Sequence, residues 1–371
     1  MNPKKEMLMN NFEGAYFDYY KEKGLDYAND YHTKKPEKGM IHPQNLRAHY
    51  RYDGKTLTGD GIRLGIVTAY GYEGIKDDFE LFCERYSMEK SKVCVYFSQK
   101  SEKAKKAVKK SWATESALDL QWAHTFAPSA EKKCYFAGSD DLNDIFETLK
   151  IADKECDIIS LSFGKSEFAG LCEYEDFFAA SHAFYVCASG NNCRVNYPAC
   201  SQYTLSVGGT SVYFYPDGNA IGREKVYDKS GCGLSRYTKI PDHQAGDISL
   251  RTLSAYRRCV PDMCFFADGN FGCPVYINGK LESCVGTSIG APCVAGLCAC
   301  IAQSDRSILT KKASYFYELA EKCHIFKRPP VFFDIISGRI GEYAAEIGFD
   351  ICSGLGAPNF EEIFRAVNML A

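Results

Sequence analysis

The chain has 371 residues, enough for one large or two modest domains, and its 46% hydrophobic and 25% charged content is that of a globular protein, which excludes a disordered or low-complexity chain. Its 44 basic and 47 acidic residues leave a formal net charge of -3, so the basic surplus of a nucleic-acid-binding protein is missing. Eighteen cysteines are many for an intracellular protein and few for a disulfide scaffold, and no C-x-x-C pair speaks for a zinc ribbon or a thioredoxin-like motif.

Residues 1–41 are polar and aromatic without clean periodicity and read as an irregular or partly helical leader. No apolar h-region follows their lysines, and no later stretch reaches the ~18 apolar residues needed to span a bilayer. A cytoplasmic protein with no membrane partner is therefore expected. From Gly59 the pattern changes: Ile62 to Ala69 is an apolar run expected as a buried strand, and residues 73–86 carry Phe79, Phe82 and Tyr86 at helical spacing. Residues 92–99 read as the next strand and 101–111 as a lysine-rich solvated segment. A helix over 113–126 ends at Ala127-Pro128, followed by strand 132–138, helix 141–155, strand 156–164, helix 172–182 and strand 184–191. Such alternation predicts an α/β fold with a mostly parallel, helix-covered sheet. Residues 210–285 are richer in turns and lack the alternation, and an apolar helix is expected over 291–304. There Cys293, Cys298 and Cys300 stand where Ala or Val would serve, so they read as reduced packing residues. No internal repeat and no domain boundary after about residue 50 is visible.

Gly286-Thr287-Ser288-Ile289-Gly290-Ala291-Pro292 stands directly before that apolar helix. Small neighbours let a substrate backbone approach Ser288, and the helix dipole favours negative charge there, although a Ser at this point is equally a simple helix cap. A nucleophilic Ser needs a base. The Asp, His, Ser order of subtilisins fails, because the first strand ends Val67-Thr68-Ala69 and none of the seven histidines precedes Gly. Carboxylates are the alternative. Glu115 and Asp119, four apart on a predicted helix, share a face with Cβ atoms about 5–6 Å apart. Close carboxylates resist double ionisation and can share a proton, as a general base and its partner require; an exposed acidic helix face would have the same spacing. Asn191, in Ala188-Ser189-Gly190-Asn191-Asn192 at a strand end, can donate to an oxyanion or simply form a turn.

Taken in order, Glu-x-x-x-Asp, S-L-S-F-G, S-G-N, V-G-G-T-S and G-T-S-x-x-A-P resemble the sedolisin family of serine-carboxyl peptidases, over about residues 42–371. HPQNLRAHY ahead of the first strand looks like that family's mature N-terminal segment. The resemblance implies a subtilisin-like three-layer α/β fold with helices on both faces of the sheet, and one peptidase domain over 42–371. It implies Ser288 as nucleophile, Glu115 as general base and acid, and Asp119 as its orienting partner. Asn191 falls where sedolisins have an Asp that must be protonated to donate, so activity nearer neutrality is expected. Ser162-Phe163-Gly164 matches the edge that lines the family's cleft, with a peptide or protein as substrate. The resemblance further implies a calcium site near the C-terminus, with carboxylates from Asp334 and Asp350 and carbonyls from Ile335, Glu346 and Gly348; Glu346 stands where the family usually has Gly. A non-catalytic peptide-binding protein on the same fold, or another acyl hydrolase, are the competing readings. No G-x-S-x-G elbow supports an α/β-hydrolase. Nothing in the sequence speaks to oligomeric state.

Overall fold

The computed structural model describes residues 39–98, 110–214, 221–246, 256–268 and 271–370. The expected leader 1–41 and the lysine-rich segment 101–111 therefore lie almost wholly outside the described residues.

Apolar runs bounded by turns become the strands of one eight-stranded sheet. In chain order these are β1 (Arg63–Ala69), β2 (Val93–Phe97), β3 (Glu131–Ala137), β4 (Ile158–Leu161), β5 (Phe184–Ala188), β6 (Leu205–Phe214), β7 (Ile221–Val226) and β8 (Met263–Phe266). Across the sheet the order is β8-β6-β5-β4-β1-β3-β2, all parallel, with β7 antiparallel beside β6. Six of the seven β1 residues are buried, as expected for a strand covered on both faces.

Alternation along the strands sorts the core into two faces. On one, Leu64, Ile66, Ile158, Phe184 and Val186 pack with Leu46 of α1 (Pro43–His49), Phe79 and Phe82 of α2 (Ile75–Arg85) and Leu120 and Trp122 of α3 (Lys110–Phe126). On the other, Val67, Ile159, Tyr185 and Cys187 pack with Phe146 and Leu149 of α4 (Leu142–Glu155) and Phe178 of α5 (Cys172–Ala180). The result is the expected three-layer α/β architecture.

Helix α6 (Gly290–Ser304) joins the first face and is buried from Gly290 to Ala302. It runs against α3 because Gly296 has no side chain: a Cβ there would lie 3.0 Å from Phe126 Cβ and 3.2 Å from the Ala123 carbonyl. This close approach brings the start of α6 beside Glu115 and Asp119 of α3.

Residues 210–285 carry more strand than their turn-rich sequence suggests. β6 runs on to Phe214, β8 joins the sheet, and two antiparallel pairs form, Gly233–Lys239 with Arg257–Val260 and the hairpin Cys273–Ile277 with Lys280–Cys284. Antiparallel pairs leave no strand–helix alternation of the βαβ kind to read. All eighteen cysteines are free; Cys94 and Cys284 are half-buried, Cys172 and Cys193 exposed, and the rest buried.

Candidate active site

The functional residues gather at the C-terminal ends of β4 and β5, beside the central strand β1, where the chain reverses its direction of travel across the sheet. In open α/β sheets this is where ligands bind.

Ser288 lies half-buried in the turn 286–289 that leads into α6. Gly286 makes the turn possible: its φ is +119°, and a Cβ would lie 2.7 Å from Asn191 Nδ2. The Ser288 hydroxyl donates to the Ser162 carbonyl at 3.4 Å. The turn also binds the loop after β5. Thr287 N–H donates to Asn191 Oδ1 at 2.9 Å, and Gly190 N–H donates to Thr287 Oγ1 at 3.0 Å. With its oxygen so engaged, the exposed Asn191 keeps its amide nitrogen as a donor. Gly231 N–H and Asn196 Nδ2 hold the same loop by the Gly190 and Ser189 carbonyls, at 2.7 Å each.

Glu115 and Asp119 face the same region from α3, one turn apart. Burial pushes Glu115 up to about 7, and the neighbouring Ser288 hydroxyl pulls it back. Asp119 is fully buried; burial first, and then the Glu115 charge, push its carboxyl well above the usual carboxylate range, against a hydrogen bond from Ser162. That bond, Ser162 Oγ to Asp119 Oδ1, is 2.6 Å. Glu115 Oε1 and Asp119 Oδ2 are both buried without a hydrogen-bond partner. Although Ser288 affects Glu115, its hydroxyl is aimed at the Ser162 carbonyl, so the Ser288–Glu115 contact is a close approach short of a formed hydrogen bond. Two neighbouring carboxyls whose inner oxygens are buried without partners resist ionising together and can share a proton.

A cavity of about 400 Å³ opens on this group, lined by Ser111, Thr114, Glu115, Leu118, Cys284, Val285 and Ser288. A second, of about 290 Å³, lies beyond Phe163 and Gly164, with Trp112, Phe146, Phe178 and Tyr197 in its aromatic wall. Ser162, Phe163 and Gly164 thus run between the Ser288 turn and the aromatic cavity. Of the sequence candidates, Ser288, Glu115, Asp119, Asn191 and Ser162–Gly164 come together, while the C-terminal acids lie in a separate loop. Sequence reasoning missed Thr287, although its motif contains it, and missed Ser111, one turn before Glu115, and Thr114, which line the same cavity. It also missed the Cys284 side of the cavity, which reaches the site only through a hairpin.

In the C-terminal loop Asp334 Oδ2 accepts from Gly348 N–H at 2.8 Å, and Asp350 Oδ2 accepts from Glu346 N–H at 3.0 Å. Cys352 and Ser353 N–H complete the Asp350 cradle at 2.7 and 2.9 Å. Burial pushes Asp334 up to about 7 and Asp350 to about 6, and the Asp350 charge adds to the effect on Asp334. No basic side chain is among the groups acting on either acid. Two buried acids that repel each other fit a hard cation held by carboxylate and main-chain oxygens. Among the described residues no group of three or more His, Cys, Asp or Glu could hold a metal ion, so these two acids would depend on carbonyls to complete a ligand set.

Residues 121–315 match the family model described as Subtilase family. That span contains Ser162, Asn191 and Ser288 and begins just past Glu115 and Asp119. The chain is 30% identical over 280 residues to kumamolisin of Bacillus sp. (strain MN-32), across 66% of this chain and 49% of that protein. It is 30% identical over 182 residues to sedolisin of Pseudomonas sp. (strain 101), across 45% of this chain and 29% of that protein. The chain thus spans about half or less of the length of the curated relatives it matches. Among solved structures, Pseudomonas sedolisin, a serine-carboxyl proteinase complexed with two molecules of pseudo-iodotyrostatin, superposes with a TM-score of 0.78 at 21% identity, covering 89% of this chain and 98% of that one.

Proposed function

We propose, from the premise that the chain belongs to the subtilase family and to its sedolisin branch, that it is a serine-carboxyl peptidase cleaving peptide bonds in a peptide or protein substrate. The observation that carries this reading is the meeting of Ser288 with the half-buried Glu115 and the fully buried Asp119, each with an inner carboxyl oxygen that is buried without a partner. A helix face that was merely acidic would be solvated.

In this reading Ser288 Oγ attacks the substrate carbonyl while Glu115 takes its proton. The Asn191 amide and the Ser288 N–H hold the developing oxyanion. Glu115 then passes the proton to the leaving amine. Water, activated by Glu115 in its turn, releases the acyl group from Ser288. Asp119 holds Glu115 in place and tempers its charge. An extended substrate pairs with the Ser162–Gly164 edge. Because Glu115 works as a base only when ionised and burial raises it to about 7, activity rises through neutrality. The Asn191 donor, unlike an acid, works there too.

Asp334 and Asp350 with the Ile335, Glu346 and Gly348 carbonyls are proposed to hold Ca²⁺, which when bound neutralises the two acids and fastens the C-terminal loop. Cytoplasmic residence is proposed from the eighteen free thiols, which a reducing compartment preserves. The peptidase unit is proposed to begin at about residue 42.

The test is digestion of a peptide library across pH by the wild type and by Ser288→Ala and Glu115→Gln. Cleavage should be lost in both variants, and wild-type cleavage should fall as the pH drops below neutral. Equal cleavage by Ser288→Ala would remove the proposal in favour of peptide binding without catalysis.

A further inference from the structure

Ser162 is tied to both halves of the site. Its hydroxyl donates to Asp119 Oδ1 at 2.6 Å. The same oxygen lies 3.3 Å from the Ser288 carbonyl, and Ser288 Oγ reaches the Ser162 carbonyl at 3.4 Å. A hydroxyl has one proton to give, and the shorter contact takes it. The acid pair is thereby made asymmetric. Asp119 Oδ1 has its donor, while Asp119 Oδ2 and Glu115 Oε1 are buried with none. Leaving two such oxygens bare is costly unless a proton serves them.

We propose that Ser162 is a positioning residue whose hydroxyl serves Asp119 Oδ1, so that the proton shared by the pair sits on Asp119 Oδ2, on the side of Glu115 Oε1. Glu115, left ionised, takes the Ser288 proton and passes it to the leaving amine, while the shared proton and the Ser162 proton stay in place. This rests on the peptidase reading of the same site. Among the described residues, the titratable groups facing Asp119 are Glu115 on its own helix, Cys134 from β3 and Cys293 from α6; Cys284 faces Glu115 from its hairpin. Burial pushes all three thiols up, Cys284 to about 12, so they stay neutral through the working range and the Ser162 donor alone among these groups favours ionised Asp119. Removing it makes the pair hold its last proton to higher pH.

The test is pH-difference infrared spectroscopy of the protonated-carboxyl band on the full chain, with Asp119→Asn identifying the band. In Ser162→Ala the band should persist to higher pH than in the wild type. Ser162→Thr, which keeps the hydroxyl, should restore the wild-type titration. Ser162→Cys, nearly isosteric with a weaker donor, should shift the same way by less, and it carries the test if the Ala variant does not fold. In turnover, Ser162→Ala should lose about ten- to a hundredfold in kcat with little change in KM, and its alkaline limb should move up. A band that titrates as in the wild type, or a uniform loss of rate with an unmoved limb, overturns the proposal. The infrared titration needs no turnover, so it is decided separately from the peptidase reading, which fails if wild-type hydrolysis does not depend on Ser288.

Discussion

Asn191 and Thr287, 96 residues apart in the chain, hold the loop after β5 against the turn that carries Ser288: the Thr287 N–H donates to Asn191 Oδ1 at 2.9 Å, and the Thr287 hydroxyl accepts from Gly190 N–H. The arrangement decides which end of the Asn191 amide is available. Its oxygen is used inside the protein, so its nitrogen is the end left for a substrate.

Asn191→Asp should therefore change the pH dependence more than the fold. A carboxylate still accepts from Thr287 N–H, but it donates to an oxyanion only when protonated. Neutral-pH kcat should fall about a hundred- to a thousandfold, the usual effect of losing one oxyanion donor, and part of it should return under acid conditions. A pH–rate profile parallel to that of the wild type would contradict the role given to Asn191.

The α3–α6 contact predicts a packing variant. Gly296→Val puts a branched side chain where even a Cβ would stand 3.0 Å from Phe126. Overpacking of this kind costs about 1–3 kcal/mol. Chemical denaturation should register that loss, and activity should fall as well, since the same contact sets Glu115 against Ser288.

A buried ion pair away from the site makes an acid-stability prediction. Arg258 and Asp262 are both fully buried and joined at 2.7 Å through Arg258 Nη1, and Asp262 also accepts from Ser206 N–H and Tyr317 Oη. Burial alone would raise the Asp262 carboxyl, but the Arg258 guanidinium beside it holds it well below the usual range. Its folded-state pKa lies below the unfolded one of about 4, so its contribution is present above that value and is lost as the pH falls through the folded-state pKa. Asp262→Ala should cost about 3–5 kcal/mol at neutral pH, by leaving the arginine buried and unpaired. Relative to the wild type, the deficit should shrink in strong acid, as thermal melts across pH would record.

Calcium should raise the melting temperature, and a chelator should lower it. At a hundred times its dissociation constant a ligand of the folded state adds about 2.7 kcal/mol. Asp350→Asn should abolish the response to calcium while leaving a folded chain, because an amide oxygen still accepts from Cys352 and Ser353 N–H. A melting temperature indifferent to calcium in the wild type would count against the site.

The sequence by itself determined the layered α/β architecture, because apolar strands and amphipathic helices alternate with a period that a single chain displays. It also determined the candidate nucleophile, acid pair and amide, because each stands in a short motif: Ser288 before an apolar helix, Glu115 and Asp119 one turn apart, Asn191 at a strand end. Its reading of 210–285 as turns stopped short, since antiparallel strands and the late parallel strand β8 are paired by distant partners. Tertiary structure alone decided what those side chains experience. Solvent exclusion that raises Glu115 and Asp119, the Ser162 hydroxyl on Asp119 from 43 residues away, and the Thr287 clasp on Asn191 all arise between elements remote in the chain. Local spacing specifies which groups are present. Burial and hydrogen-bond donors, which set their charge and direction, come from the neighbours that folding supplies.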